Sequence, residues 1–285
     1  MTLRELLDDA TARLEAAGIE SARTDAEWMA ACVLGERRST MLADPDREIE
    51  PSPAGSFGAM LARRARREPL AYIVGTVSFR GLELEVGPGT LVPRPETEVT
   101  AARAIERTRA RGPRPTVVDV GTGCGAIALS IGAEVPEARI FATESSGAAR
   151  GWALRNLART GLRCTLLPGD LLSPLHPALG NGVDIVVSNP PYVSDGEWKT
   201  LMPEVCRYEP KEAVVGGPTG MEVIDALVNQ SRMWLAPGGW LVLEVAPSQT
   251  RDVTTLLLSK DYDAVTVTRD LAGRERVVEA RWGLR

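Results

Sequence analysis

The chain has 285 residues, 44% of them hydrophobic and 25% charged, which is ample for a large core and typical of an ordinary globular protein. Its formal net charge of -5 argues against a stable nucleic-acid footprint, and no apolar run approaches the roughly 20 residues of a membrane span. Cys32, Cys124, Cys164 and Cys206 form no Cys-x-x-Cys pair and His176 is the only histidine, so a disulfide framework, a metal site and a histidine base are all disfavoured. The opening Thr2, Arg4 and Glu5 do not read as a signal peptide, and a cytoplasmic address is expected.

Thr2 with Glu5 predicts a capping box, followed by Leu3, Leu6, Leu7, Ala10 and Leu14 at helical spacing and a stop at Gly18. Thr24 with Glu27 predicts a second box, opening a helix that carries Trp28, Met29, Val33 and Leu34 and ends at Gly35. Ser39 to Leu42 reads as a further turn, and Ser52-Pro53 begins a helix with Phe57, Met60 and Leu61 on its apolar side. That helix closes on the basic run Arg63, Arg64, Arg66 and Arg67, which is either a solvated face or a docking surface for an acidic or RNA-containing partner. Residues 1–70 therefore read as a small helical domain.

Glu68-Pro69 breaks the helix. Two alternating segments, Ala71–Val77 and Leu82–Val86, parted by Arg80-Gly81, read as a β-hairpin. A proline-stiffened connector, Leu91-Val92-Pro93-Arg94-Pro95-Glu96-Thr97-Glu98, leads into a helix from Glu96 or Thr97 to Arg109, so 71–115 is a hairpin-and-connector segment. From Thr116 the pattern turns α/β, and 116–285 reads as a nucleotide-type domain. Strands are expected at 116–120, 139–144, 163–167, 183–188, 240–245, 264–269 and 274–281, with helices at 126–133, up to Arg159, at 221–235 and at 249–258. Ser194–Gly220 is expected to be loop and Pro237-Gly238-Gly239 a turn. Successive strands and helices imply a parallel sheet, and the last short-turned pair implies an antiparallel hairpin at its edge.

The chemistry gathers at strand ends. Gly121-Thr122-Gly123-Cys124-Gly125 is a glycine-rich turn of the kind that serves both dinucleotides and S-adenosylmethionine. Asp119, just before it, would repel a pyrophosphate but suits a cationic sulfonium ligand with a free amino group. Glu144 at the next strand end fits ribose hydroxyls, and Asp170 at the third fits an adenine amine. At the fourth, Val186-Val187-Ser188-Asn189-Pro190-Pro191-Tyr192 stops abruptly because proline fixes φ and gives no N–H. The Asn189 side-chain oxygen and the Pro190 carbonyl are two acceptors on a stiff backbone, with Tyr192 as a flat wall, and together they suit a planar –NH2 group. This combination favours a methyltransferase.

With these motifs in place the chain resembles the HemK-type (PrmC-like) peptide chain release factor glutamine N5-methyltransferases. The likeness rests on Pro93-Arg94-Pro95-Glu96-Thr97-Glu98, Asp119–Gly125, Ser188–Tyr192, Tyr208-Glu209-Pro210, Gly216-Gly217 and Asp270–Arg276, together with the helical first domain. The resemblance implies a seven-stranded Rossmann-like sheet with its last strand antiparallel, plus an N-terminal helical domain and a hairpin linker. It implies S-adenosylmethionine as donor, and as acceptor the glutamine of a release factor's Gly-Gly-Gln loop, a step tied to translation termination, with the first domain and hairpin gripping that partner. Asn189, Pro190 and Tyr192 would be catalytic, and Asn189 to Tyr192 with Arg94 would meet the substrate. Thr97, Asp119, Gly121, Thr122, Gly123, Gly125, Glu144, Asp170 and Asn189 would hold the donor. Glu144 stands where an Asp is usual, one methylene longer. The rival readings are an adenine amino-methyltransferase acting on nucleic acid, a small-molecule or other protein-amide N-methyltransferase, and a non-catalytic protein that kept the pocket.

Overall fold

Leu3, Leu7, Ala10 and Leu14 recur along one side of α1 (Leu3–Ala16), and all four are fully buried. Thr2 caps this helix reciprocally: its hydroxyl accepts from the Glu5 N–H at 3.2 Å and its own N–H donates to the Glu5 carboxylate at 2.8 Å. Against α1 pack α2 (Ala22–Leu34), the single turn α3 (Arg38–Met41), α4 (Pro51–Ala65) and α5 (Leu70–Val74), joined in one core that holds Met29, Met41, Phe57 and Leu61. The computed structural model describes residues 1–283. These helices form one of two units, Met1–Thr76 with Met202–Tyr208; the other is Val77–Leu201 with Glu209 onward.

From Val77 the second unit takes the rest of a hairpin, β1 (Thr76–Phe79) and β2 (Leu82–Glu85), and continues through α6 (Thr97–Arg109) into β3 (Thr116–Val120). Then follow α7 (Ala126–Glu134), β4 (Arg139–Glu144), α8 (Gly147–Thr160), β5 (Thr165–Pro168), β6 (Val183–Ser188) and β7 (Val193–Ser194). After α9 (Pro203–Tyr208), which belongs to the helical unit, come β8 (Val215–Gly217), α10 (Glu222–Ser231), β9 (Leu235–Glu244), α11 (Thr250–Ser259), β10 (Tyr262–Arg269) and β11 (Glu275–Trp282). The seven-stranded sheet runs β10-β11-β9-β6-β3-β4-β5. β5, β4, β3, β6 and β9 are parallel neighbours, and the last strand, β11, is antiparallel to both β9 and β10. The closing hairpin therefore inserts its second strand inside the sheet and leaves β10 at the edge. Val118, Val186, Leu241 and Val278 anchor the core on one face of this sheet.

Several local expectations are corrected. Thr24 and Glu27 form no capping box; α2 begins earlier, at Ala22, and Glu27 instead pairs with Arg23 at 2.8 Å and Arg38 at 2.5 Å. Residues 70–74 are helical rather than strand, because Pro69 opens a turn that Gly75 closes at φ +87°; a short apolar run carries no decisive period. The expected loop after Ser194 contains α9 and the strand β8, which pairs in parallel with β7. Pro237-Gly238-Gly239 loops out of β9 between the pairings Val183–Leu235 and Ile185–Trp240, and Arg111 pins it by donating to the Gly238 carbonyl at 2.9 Å and Asp184 at 2.8 Å. The basic run is not an open face. Arg64 is buried on Asp25 and Glu204, Arg63 pairs with Glu68, Arg67 pairs with Glu204, and only Arg66 is exposed.

Candidate active site

Strand order reverses at the centre of the sheet, where β3 has β4 on one side and β6 on the other. Val120 lies opposite Ser188, and the Ser188 hydroxyl donates to the Val120 carbonyl at 2.7 Å, so the residues that leave these two strands start side by side. Open α/β sheets bind ligands in the crevice at such a point. Gly121 (φ +68°) and Gly123 (φ +59°) turn the chain from β3 toward α7 in left-handed backbone that other residues rarely adopt. From β6 the chain leaves through Asn189, Pro190 and Pro191.

A cavity of about 690 Å³ opens there, within the size range of small-molecule sites. Its wall includes Gly121 and Gly123, Glu144 and Asp170 from the next two strand ends, Gly89 to Leu91 from the connector, and Asn189 to Pro191. Glu212 completes the ring of acids: three carboxylates and, among the described residues, no cationic side chain line the space. The Glu144 carboxylate is braced by two backbone donors, the N–H of Gly123 at 2.9 Å and that of Ser146 at 2.8 Å. Asp170 is exposed at the mouth beyond β5.

The structure places other expected residues behind this wall. Asp119 is 1% exposed and lies outside the lining, beneath the turn. Its Oδ2 accepts from the Thr122 hydroxyl at 2.5 Å and from the Ala128 N–H at 3.0 Å, fastening the turn to the start of α7. Its Oδ1 is buried with no partner among the described residues, and burial pushes its pKa up to about 7, against those two hydrogen bonds. Thr122 and Gly125, which caps α7, likewise serve the turn without lining the cavity.

Thr97, the first residue of α6, is buried behind Asn189 and accepts from its Nδ2 at 3.2 Å. The Tyr192 ring packs against the sheet core, with its hydroxyl 3.5 Å from Glu244, and burial raises its pKa to about 12. Arg94 sits in the connector and reaches Glu209 Oε2 at 2.5 Å; the Glu209 side chain is fully buried, and that burial raises its pKa despite Arg94. This pair ties the connector to the stretch that brings Pro210 and Glu212 into the wall.

Residues 5–75 match the PrmC N-terminal domain family and residues 103–206 the methyltransferase small domain family. The release factor glutamine methyltransferase of Geobacter sulfurreducens is 36% identical over 282 residues, covering 99% of this chain and 97% of that protein. That of Mycobacterium tuberculosis is 40% identical over 292 residues, covering 99% of this chain and 93% of its own length. The chain belongs to the release factor glutamine methyltransferase family. A solved methyltransferase from Pyrococcus furiosus, 18% identical, aligns with 71% of this chain and 90% of its own at a TM-score of 0.53, which shows the shared fold.

Family members are methyltransferases that use S-adenosylmethionine, and the residues present fit that donor. Among the described residues the wall carries acids and no cationic side chain, which suits a sulfonium ligand, and Gly121 has open space where a side chain would stand. Glu244 is the residue that sequence reading overlooked. It ends β9, is 1% exposed, and gathers the hydroxyls of Thr100 at 3.1 Å and Tyr192 at 3.5 Å, and burial pushes its pKa up. The available signal was its place as one more polar residue at a parallel strand end.

Proposed function

We propose that the protein transfers the methyl group of S-adenosylmethionine to the side-chain amide nitrogen of a release factor glutamine, with Asn189 and Pro190 holding that nitrogen. The observation that carries this reading is the position of Asn189. It shares a cavity with the glycine turn, one hydrogen of its Nδ2 goes to Thr97, and its Oδ1 is left to accept from a ligand.

An amide nitrogen is a poor nucleophile because its lone pair is delocalised into the carbonyl, and no histidine or lysine lines the cavity to serve as a base. The bound sulfonium supplies an electrophilic methyl group. Asn189 Oδ1 and the Pro190 carbonyl accept the two N–H groups of the amide and fix the direction of its nitrogen. Both hydrogen bonds strengthen as positive charge grows on that nitrogen. Alignment of this kind contributes on the order of 7–11 kcal/mol. A glutamate in place of glutamine sets oxygen against oxygen and leaves buried acceptors unpaired, so discrimination on the order of 10⁴ is expected.

Within the donor site, Glu144 takes the ribose hydroxyls, Asp170 the adenine amine, and Gly121 and Gly123 let the backbone approach. Asp119, Thr122 and Gly125 act one layer back by holding the turn. Tyr192 stiffens the Asn189–Pro191 corner from the core side. The helical unit, which includes α9 from the stretch after Tyr192, is the arm that grips the release factor.

The test is Asn189→Ala assayed with purified release factor and labelled donor. Donor binding by calorimetry survives and methyl transfer collapses; transfer at the wild-type rate would reject the reading.

A further inference from the structure

We propose that Gln249 is a positioning residue for the transfer step: it clamps the far end of the Asn189–Tyr192 corner and so sets where the Pro190 carbonyl points. The inference rests on the reading above, in which that carbonyl accepts a substrate N–H, and adds what holds it in place.

Pro190 and Pro191 have no N–H, so across its bend the corner has no backbone donor with which to be tied down. Its placement is decided at its two ends. Upstream, Ser188 is fixed in the sheet between Val120 of β3 and Leu243 of β9. Downstream, the peptide group that joins Tyr192 to Val193 is held on both sides. Its N–H donates to the Val214 carbonyl at 3.0 Å, and its carbonyl accepts from Gln249 Nε2 at 2.9 Å. Each proline ring locks its own φ, so few soft torsions separate that peptide group from the Pro190 carbonyl. A tilt of one is passed on to the other.

The orientation of the Gln249 amide follows from its neighbours. Its Nε2 faces two carbonyl oxygens, that of Tyr192 at 2.9 Å and that of Gly220 at 3.3 Å, and its Oε1 accepts from the Ala246 N–H at 3.2 Å. Flipped, the amide would set oxygen against both carbonyls and N–H against N–H, so one orientation alone satisfies all three partners. Gly220 takes left-handed backbone (φ +78°), and a Cβ there would stand 2.3 Å from the Tyr192 carbonyl oxygen, so the two chains meet closely. Brought together, their carbonyls repel, and the two hydrogens of one amide, one for each, hold them. Ala246 lies two residues beyond Glu244, the end of β9, so both ends of the corner are referred to the strand beside β6. Gln249 itself lies outside the cavity wall, and its effect on the reaction passes through the corner.

The test compares Gln249→Glu, Gln249→Met and Asn189→Ala with purified release factor, measuring kcat, KM for the release factor, donor Kd by calorimetry and thermal stability. Gln249→Glu keeps the size and the acceptor for Ala246; at about pH 8 its carboxylate only accepts, so both donors are lost. Its kcat falls about tenfold to 10²-fold, as for a displacement approaching 1 Å at a reacting centre, while KM and donor Kd stay within about twofold. Gln249→Met, of similar length with no donor and no charge, loses about tenfold or more in kcat with the same split. Wild-type kcat in Gln249→Glu beside an inactive Asn189→Ala shows that the amide only closes its own turn through Ala246; it overturns this inference and leaves the proposed function standing. An active Asn189→Ala overturns the reading beneath it. A loss that appears equally in donor Kd and melting temperature marks a merely structural amide and also overturns the inference. Gln249→Met keeps the test decisive if Gln249→Glu does not fold.

Discussion

The Arg64 guanidinium donates to Asp25 Oδ2 at 2.7 Å, with both side chains less than a tenth exposed. Its other arm reaches Glu204 at 2.9 Å, a residue 140 positions away that arrives with α9. A basic run at a helix end thus becomes the internal fastener of the helical unit. Arg64→Ala leaves Asp25 buried and unpaired, and losing one partner of such a pair costs about 3–5 kcal/mol. Urea unfolding of the variant is expected to show that loss; a change under about 1 kcal/mol would contradict the role assigned to Arg64.

Glu144 tests the donor site. Its carboxylate lines the cavity and is held by the N–H groups of Gly123 and Ser146. Hydrogen bonds to a charged group contribute about 1.5–3 kcal/mol, so Glu144→Ala should weaken S-adenosylmethionine about 10- to 100-fold. Calorimetric titration reads this directly, and an unchanged Kd would remove Glu144 from the site.

Gly216 tests the corner from behind. A Cβ added there would stand 2.3 Å from the Pro191 carbonyl oxygen, so alanine must push the Pro190-Pro191 backbone away from its place. A displacement near 1 Å at a reacting centre can cost about 10²-fold in rate. Gly216→Ala is expected to lower kcat by about that factor with donor Kd preserved, and wild-type kcat would show that the corner tolerates the shift.

Asp119 gives a pH signature. Its pKa is raised by burial to about 7, above its ordinary value of 3.8, so between those two pH values the folded protein holds a proton that the unfolded chain releases. Stability from this group is therefore greatest below the lower value and falls as pH rises toward 7. Asp119→Asn lacks the titration, so its melting temperature relative to wild type should rise as pH is raised from about 4 to about 8. Thermal melts at four or five pH values would reveal a flat or opposite trend if the carboxyl titrates normally.

The positions of Glu144, Asp170 and Asn189 were legible in the sequence because each sits where a run of apolar residues stops, and strand ends on one edge of a parallel sheet face one crevice. The proline pair at 190–191 made its strand end unmistakable, since proline cannot continue a ladder. Direction was harder. Asp119 is also a strand-end acid, yet it lies behind the turn, because its oxygen is taken by Thr122 and Ala128. Thr97 was expected to line the cavity and instead backs Asn189.

The sequence by itself determined the α/β pattern, the glycine turn, the proline-locked corner and the family likeness, because these depend on periodicity, backbone freedom and short motifs that neighbouring residues write together. Only the tertiary structure decided that Glu244 takes the Thr100 hydroxyl, that Arg64 is buried between two acids, and that 202–208 joins the helical unit. Those pairings join residues separated by 39 to 144 positions. No local period encodes such a meeting; burial, and the need of each buried polar group for a partner, brings it about.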